Sequence, residues 1–498
     1  MRVLPGDVRY PDLVQGWNAR FVGRPDAVCL PTSTAEVVDT VQEAVRSGTR
    51  IAVRSGGHCF ENFVADPAVQ MVIDMSLMAG ISWDPGRGAV AIEAGTLLGA
   101  VNRTLFKRWG VALPGGTCPS VGIGGHVCGG GWGPLARLYG LVVDHLEAVE
   151  VVVADADGTA RAVVASRDPG DPAHDLWWGL TGAGGGNFGV VTRYWFRTPG
   201  ADASDPSTAL PRPPARLAVR QLLWPWAMLD EDRFARLLRN HGDWHERNGS
   251  AGSAYSGLYS IVGATPRGQN GVVIMSIQFD ATIPDSDRLL TEFLDALNDG
   301  VGASPIVLER QELPWLHTTT WPGVTDRADH TKHAKFKSGY LRRRLTDAQI
   351  ATAYRHLTLP DYANPTAGIM LASYGGAVNT VASDATATAQ RDSIMRIVFA
   401  TEWDRPEEND KHLTWIRSFY REMFADTGGV PAPGDVTDGC HINYADVDVA
   451  DEEWNRSGVP WHTLYFKDNY PRLRRVKARW DPGDRFRHAL SIRLPDAP

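Results

Sequence analysis

Cysteine is scarce in this chain, with five thiols among 498 residues, at positions 29, 59, 118, 128 and 440. They are too few and too unevenly spaced for a disulfide framework. Long apolar runs are missing as well: nowhere do about 18 apolar residues follow one another, the least a membrane-spanning helix needs. The opening MRVLPGDVRYPDL lacks the apolar stretch of a secretion signal, so a cytoplasmic protein with no membrane partner is expected. Positive charge is also short. The 50 Lys and Arg against 58 Asp and Glu leave a net charge of −8, which argues against nucleic acid or anionic lipid as a partner. The pattern G-x-x-x-x-G-K-[ST] does not occur, which excludes a P-loop nucleotidase.

What the chain does have is length and an apolar content of 43%, enough for two or three domains with a buried core. Helix and strand signals alternate through the first part. TSTAEVVDTVQEAVRSG predicts a helix, with Ser33 and Glu36 in capping-box spacing and Gly48 as its stop. IAVR, MVIDMS and AVAIEA predict strands, LLGAVNRTLFKRWG a second helix, and AVEVVVADADGTARAVVA a hairpin turning at Asp157-Gly158. Residues 198–218 hold five prolines and little periodicity, and read as a linker. Beyond it, helical stretches such as DEDRFARLLRNHGDWHER, DRLLTEFLDALND and DKHLTWIRSFYREMF alternate with strands such as GVVIMSIQFDA, GIMLASYGG and MRIVFATEW. A sheet covered by helices is the natural outcome there. The fold class is therefore α+β, divided at 1–200, 215–435 and 436–498.

Glycine is spent in three places. Gly56 and Gly57 stand in VRSGGHCF, seven of the twelve residues from Gly122 to Gly133 are glycine, and LTGAGGGNFGVVTRYWF spans 180–196. Glycine loses the most conformational freedom on folding, so something must approach this backbone closely. Converging backbone N–H groups suit phosphate oxygens, and three such loops suggest a large ligand with a pyrophosphate. Gly184, Gly186 and Gly189 match G-x-G-x-x-G, but a helical HDLWWGL precedes them and the strand VVTRYWF follows. That order is the reverse of a Rossmann fingerprint. The pairs His58-Cys59 and His126-x-Cys128 lack the ligand spacing of structural zinc sites, so no metal is expected. Buried cysteines such as Cys29, Cys59 and Cys128 read as inert.

Taken together, RSGGHCF, PGGTCPSVGIGGHVCGGGWG, WWGLTGAGGGNFGVVT, INYADVD and WHTLYFKDNYPRLRRVKARWDPGDRF resemble, in family order, the berberine-bridge-enzyme-like flavoproteins of the vanillyl-alcohol-oxidase-type superfamily. The resemblance implies a two-part FAD-binding domain, 1–200 and 436–498, around a substrate domain at 215–435 with an antiparallel sheet covered by helices. It implies FAD attached twice, through the imidazole of His58 and the sulfur of Cys118. The matching motif positions Arg54, Ser55, Gly56, Gly57, Cys59, Gly122, Gly124, Gly125, His126, Gly129, Gly186, Asn187, Gly189, Val190 and Asn469 are implied as the cofactor's surroundings.

By the same resemblance Tyr444, in HINYADVDV, takes the place of the family's base and also borders the cofactor, and Tyr374, in ASYGGAVN, stands near it. One departure concerns catalysis. Many bacterial relatives carry tyrosine where this chain has Trp132, and an indole N–H donates but is no base near neutral pH. A second oxidation step relying on that tyrosine is therefore not carried over, and Trp132 is expected to stack on a substrate ring. Val121, three residues past Cys118, is small enough to admit oxygen.

The implied function is an oxidase of an actinomycete natural-product branch. It would oxidise a hydroxyl-bearing carbon of a glycosylated or polyketide small molecule and pass electrons to O2. LLRNHGDWHERNG resembles the glycopeptide hexose-oxidase type. Alternatives are an oxidase of free sugars, a flavin-assisted oxidative cyclisation, and an FAD protein that only binds its ligand.

Overall fold

The computed structural model describes residues 1–268, 270–324 and 331–496. The helix Thr34–Ser47 shows how local chemistry sets the ends of an element. Ser33 Oγ accepts the Glu36 N–H at 3.3 Å, and Gly48 closes the other end at φ 67°. The Glu36 carboxylate turns to the Thr32 N–H at 2.8 Å, so the expected capping box is made on one side only. Val37, Val41 and Ala44 form the buried face.

Two sheets come from the first 196 residues. β1 (Arg2–Val3), β2 (Ala27–Cys29), β3 (Ile51–Arg54) and β4 (Met71–Asp74) form a four-stranded sheet in the order β1-β2-β4-β3, parallel except for the β1–β2 pair. β5 (Ile81–Asp84), β6 (Ala89–Glu93), β7 (Leu146–Ala154), β8 (Ala160–Ser166) and β9 (Val190–Phe196) form an antiparallel sheet in the order β5-β6-β9-β7-β8. The β7–β8 hairpin turns through Gly158 at φ 84°. The helix His174–Gly179 precedes the third glycine loop and β9 follows it, so the reversed order read from the sequence holds.

Residues 198–215 carry neither helix nor strand, and the expected linker ends three residues early because Arg216 already pairs. The third sheet is antiparallel and seven-stranded, in the order β13-β10-β12-β11-β15-β16-β14. Its strands are β10 (Arg216–Pro225), β11 (Tyr259–Ala264), β12 (Val272–Asp280), β13 (Ile306–Pro314), β14 (His333–Leu341), β15 (Gly368–Ser373) and β16 (Met395–Trp403). Helices Glu231–Asn248, Ser286–Asn298, Asp347–Leu357 and Asn409–Met423 cover it, burying Phe234, Trp244, Phe293, Ile350 and Phe419 in one continuous core. A fully buried side chain of this kind contributes about 1.5–3 kcal/mol. No helix among the described residues is long and apolar enough to cross a membrane.

The last stretch returns to the first half. Lys477 Nζ, fully buried, donates to the Asn187 and Phe486 carbonyls at 2.8 and 2.6 Å, and the Ile492 N–H donates to Asn187 Oδ1 at 2.7 Å. A second tie is ionic. Lys335 and Lys337 on β14 meet Glu61 from the loop after β3 and Asp446 and Asp448 from the C-terminal part. Lys335 pairs with Glu61 and lies 2.7 Å from Asp446; Lys337 lies 2.7 Å from both aspartates, and Arg417 2.8 Å from Asp448. The two lysines and three carboxylates are almost wholly buried. Burial alone would push the Lys335 ammonium down, but Asp446, Glu61 and Asp448 hold it above the usual lysine range. Lys337, Lys335 and Arg417 likewise hold Asp448 well below the usual carboxylate range against the pull of burial.

Removing one cation from this cluster leaves buried charge uncompensated. Lys335→Met is expected to cost about 3–5 kcal/mol, measured by denaturant unfolding; a midpoint equal to the parent's would show that the cluster does not tie the pieces together. Asp448 also sets an acid limit. Its contribution is complete above the unfolded carboxylate value, near ~4, and fades as pH falls toward its lowered folded value. The thermal midpoint should therefore drop steeply below about pH 4, and less steeply in Asp448→Asn.

Candidate active site

β3 ends where the first glycine loop begins, and Arg54 anchors that point. Its guanidinium donates to Asp74 Oδ2 at the end of β4, at 2.9 Å from Nε and 2.5 Å from Nη2. Ser55 Oγ donates to the Ala94 carbonyl at 2.6 Å, and the Gly124 N–H donates to the same oxygen at 3.1 Å. This shared acceptor draws the first glycine loop onto the helix Ile123–Cys128. The two backbones then touch. A Cβ on Gly56 would lie 2.2 Å from Gly122 N, and one on Gly122 would lie 2.2 Å from Gly56 N and 2.1 Å from Ser55 Oγ. Gly57 takes φ 74°, a conformation that favours glycine.

The junction opens into a cleft of about 1950 Å³, open solvent at its mouth included, walled by residues 51–60, 116–118, 121, 122, 124–126, 184–187, 189, 191, 441–445 and 486–488 among others. Its lining contains Arg54, Arg396 and Arg487 and no Asp or Glu. His58 and Cys118 meet there at one hydroxyl: Ser120 Oγ is 3.0 Å from His58 Nε2 and 3.4 Å from Cys118 Sγ. The imidazole also stacks on Trp17, at 6.1 Å between ring centroids. Burial pushes the neighbouring Cys59 thiol up to about 11, which keeps it protonated, and Cys128 rises equally beside Tyr194.

The remaining motif positions divide into two groups. Gly122, Gly124, Gly125, His126, Gly186, Asn187 and Gly189 lie on the cleft wall. At Gly125 a Cβ would meet no protein atom within 4 Å, whereas at Gly189 it would strike the Val152 carbonyl at 2.4 Å, so glycine serves strand packing there. His126 Nε2 accepts the Gly116 N–H at 3.2 Å. Burial, then the charge of Arg396, lowers its imidazole to about 4, so it is neutral at physiological pH. Gly129, Val190, Asn469 and Tyr374 stand off the wall. Gly129 faces Asn443, whose Oδ1 would lie 2.1 Å from a Cβ there. Val190 packs in the small core around the first helix. Asn469 Nδ2 donates to the Ser383 and Thr386 carbonyls at 2.8 and 3.2 Å, fixing that loop. Tyr374 is fully buried, and its hydroxyl donates to the Gln390 carbonyl at 3.1 Å.

Tyr444 ends the short helical turn Ile442–Tyr444 and lines the cleft. Its ring lies 5.2 Å from Phe60, two residues past His58, and Phe60 stacks on Phe336 of β14 at 4.3 Å. The loop that carries the imidazole thus also seats the phenol. Trp132 lines the cleft close by, its ring 5.7 Å from Tyr259 and 6.4 Å from Tyr374.

Three further groups of this aromatic cluster escaped the motif reading: Arg396 on β16, Tyr340 on β14, and His441. Tyr340 Oη is 2.9 Å from His441 Nδ1, and burial, then the charge of Arg396, drives His441 far below the usual histidine range. A lone cation within the apolar strand MRIVFATEW was the available signal for Arg396. No group of three or more metal-ligating side chains occurs among the described residues.

Residues 25–163 match the FAD binding domain profile, and residues 440–493 the berberine and berberine-like profile. The aclacinomycin-N/aclacinomycin-A oxidase of Streptomyces galilaeus is 52% identical over 491 residues, which is 98% of this chain and 89% of that protein. Two solved structures superpose throughout. A flavoenzyme involved in the shunt product recycling mechanism in caerulomycin biosynthesis has a TM-score of 0.97 at 48% identity, covering 99% of each chain. A glycopeptide hexose oxidase complexed with teicoplanin has a TM-score of 0.94 at 50% identity, covering 99% of this chain and 98% of that one. With these similarities running along the whole chain and the glycine cleft at its centre, the protein belongs to the berberine-bridge-enzyme-like family of FAD-linked oxidases.

Proposed function

We propose that the chain holds FAD by two bonds, from His58 and Cys118, and oxidises a hydroxyl-bearing carbon of a glycosylated or polyketide natural product. In this reading residues 1–200 and 436–498 make the cofactor half and residues 215–435 the substrate half. The observation that carries it is the meeting of an imidazole and a thiol at Ser120, 3.0 and 3.4 Å away, on the wall of a cleft without carboxylates that also holds Tyr444.

The residues present fit the group. The glycine-to-glycine contact would be filled by a single Cβ, so two main chains can close on a flat ring. The acid-free lining favours a pyrophosphate. Imidazole and thiolate are good nucleophiles for attachment. When bound, FAD supplies an acceptor for hydride and passes the electrons to O2, giving hydrogen peroxide.

The protein's own part is proton handling and orientation. Tyr444 Oη takes the substrate hydroxyl proton, which requires hydrogen-bond reach of about 2.6–3.2 Å in the complex. Phe60 and Phe336 hold its ring. Trp132 provides a flat face for a sugar or an aromatic ring. Ser120 Oγ, within reach of both tether residues, holds them toward the same space. The relatives named for aclacinomycin N and A and for a glycopeptide hexose are 52% and 50% identical, against 31% for the hexose oxidase of Chondrus crispus, which supports a natural-product substrate over a free hexose.

Acid precipitation of the purified protein should leave the yellow colour in the pellet. Both His58→Ala and Cys118→Ala should stay coloured when denatured, and the double variant should release all its pigment; a parent protein that releases it defeats the twofold attachment. Gly122→Ala forces the two loops apart and should give a folded, colourless protein, checked by circular dichroism and visible absorbance. Tyr444→Phe should cut turnover about 100-fold or more with the flavin still attached. Anaerobic bleaching by the true substrate separates an oxidase from a protein that only binds it.

A further inference from the structure

Five arginines are buried among the described residues: Arg54, Arg137, Arg220, Arg391 and Arg396. Four have acceptors. Arg54 donates to Asp74, Arg137 to the Tyr374 and Asn248 carbonyls, Arg220 to the Val219 and Gln311 carbonyls, and Arg391 to Asp144. Arg396 is 1% exposed, and none of its three guanidinium nitrogens has a hydrogen-bond partner. It is also the one of the five that stands among aromatic rings on the cleft wall. Its guanidinium carbon lies 4.4 Å from the Trp132 ring and 5.3 Å from those of Tyr340 and Tyr444.

Aromatic faces compensate the charge of a guanidinium but leave its fork of five N–H donors open. A buried cation with open donors is costly unless something supplies oxygen acceptors, and the cleft lining contains no carboxylate to do so. Its place on β16 puts it on the seven-stranded sheet beside Tyr340 of β14 and the phenol of Tyr444, rather than on the glycine loops that gather His58 and Cys118. We propose that Arg396 is a specificity-determining residue that receives an anionic oxygen carried by the substrate, a carboxylate or an ionised phenol or enol, beside the carbon whose hydroxyl proton goes to Tyr444. This rests on the reading of Tyr444 as the proton acceptor in the same cleft. It narrows the substrate class to molecules that carry such an oxygen within a few ångströms of the oxidised hydroxyl.

Benzoate and benzamide are flat isosteres that differ in charge, and each offers a ring to Trp132. Titrated into the purified protein and followed by calorimetry and by perturbation of the visible band, benzoate should bind at least ten-fold more tightly. R396Q should erase the difference and R396K retain part of it, with thermal midpoints confirming that both variants fold. Equal binding of the two probes, no binding of benzoate, or a preference that survives in R396Q overturns the proposal. Sulfite affinity, read by bleaching of the flavin band, separates the other source of an acceptor oxygen. A ten-fold loss in R396Q with the benzoate preference unchanged would assign Arg396 to the cofactor and also overturns it. A colourless protein that prefers benzoate through Arg396 would end the oxidase reading and overturn the placement beside an oxidised carbon, leaving only an anion site at Arg396.

Discussion

The contact between Gly56 and Gly122 is the constraint on which the rest of the cleft depends. Any side chain at either position would place an atom 2.2 Å from the other's backbone nitrogen, well inside van der Waals separation. Because neither residue has one, the end of β3 and the start of the helix Ile123–Cys128 meet main chain to main chain. Ser55 and Gly124 lock that meeting by sharing the Ala94 carbonyl. His58 lies two residues beyond one side of the contact and Cys118 four residues before the other. The convergence of imidazole and thiol on Ser120 is therefore a consequence of backbone proximity.

The remaining wall arrives from distant sequence and is held by buried charge. Asp446 and Asp448 follow Tyr444 by two and four residues, Glu61 follows Phe60 by one, and Lys335 and Lys337 flank Phe336. The ion cluster therefore fixes three segments, the one that carries the phenol and the two whose rings, Phe60 and Phe336, seat it. A hydrophobic replacement of such a cluster often does as well for stability, but it would not specify which three segments meet. Asn187 plays a similar part on the far side, its carbonyl and side chain accepting from Lys477 and Ile492.

Much of this was legible in the sequence, and the failures have physical causes. The helix Thr34–Ser47, the hairpin at Gly158 and three of the four helices over the large sheet, all but Asp347–Leu357, follow from caps, turn residues and an apolar face with helical period. Strand β14 did not stand out, because HAKFKSGYL places two lysines inside the protein, and its alternation is intelligible only once Glu61, Asp446 and Asp448 are seen beside it. β10 begins inside a proline-rich stretch that reads as linker. The motifs located the cleft but not every role within it. Gly129 and Asn469 belong to the same signatures as the wall residues, yet one makes room for Asn443 and the other fastens a loop. Tyr374 lies behind Trp132 with its hydroxyl already committed to Gln390. A one-dimensional motif records that a residue type is required, without recording what it touches.

Charge placement unites these features. The chain carries a net charge of −8, yet no Asp or Glu lines the cleft. The carboxylates just behind it, Glu61, Asp446 and Asp448, are matched by Lys335, Lys337 and Arg417, three against three. Asp74, the other near neighbour, is taken by Arg54. Each anion at the border is neutralised within the protein, whereas the cation on the aromatic side, Arg396, keeps its donors free. In a low-dielectric cleft a fixed charge acts over several ångströms, so this asymmetry gives an acidic protein an interior that favours negative oxygen. The imidazoles of His126 and His441, driven toward neutrality by burial and by that same arginine, add no competing positive charge. Recognition of an anionic oxygen therefore falls on Arg396 at the substrate side, and the glycine loops remain free to close on the cofactor.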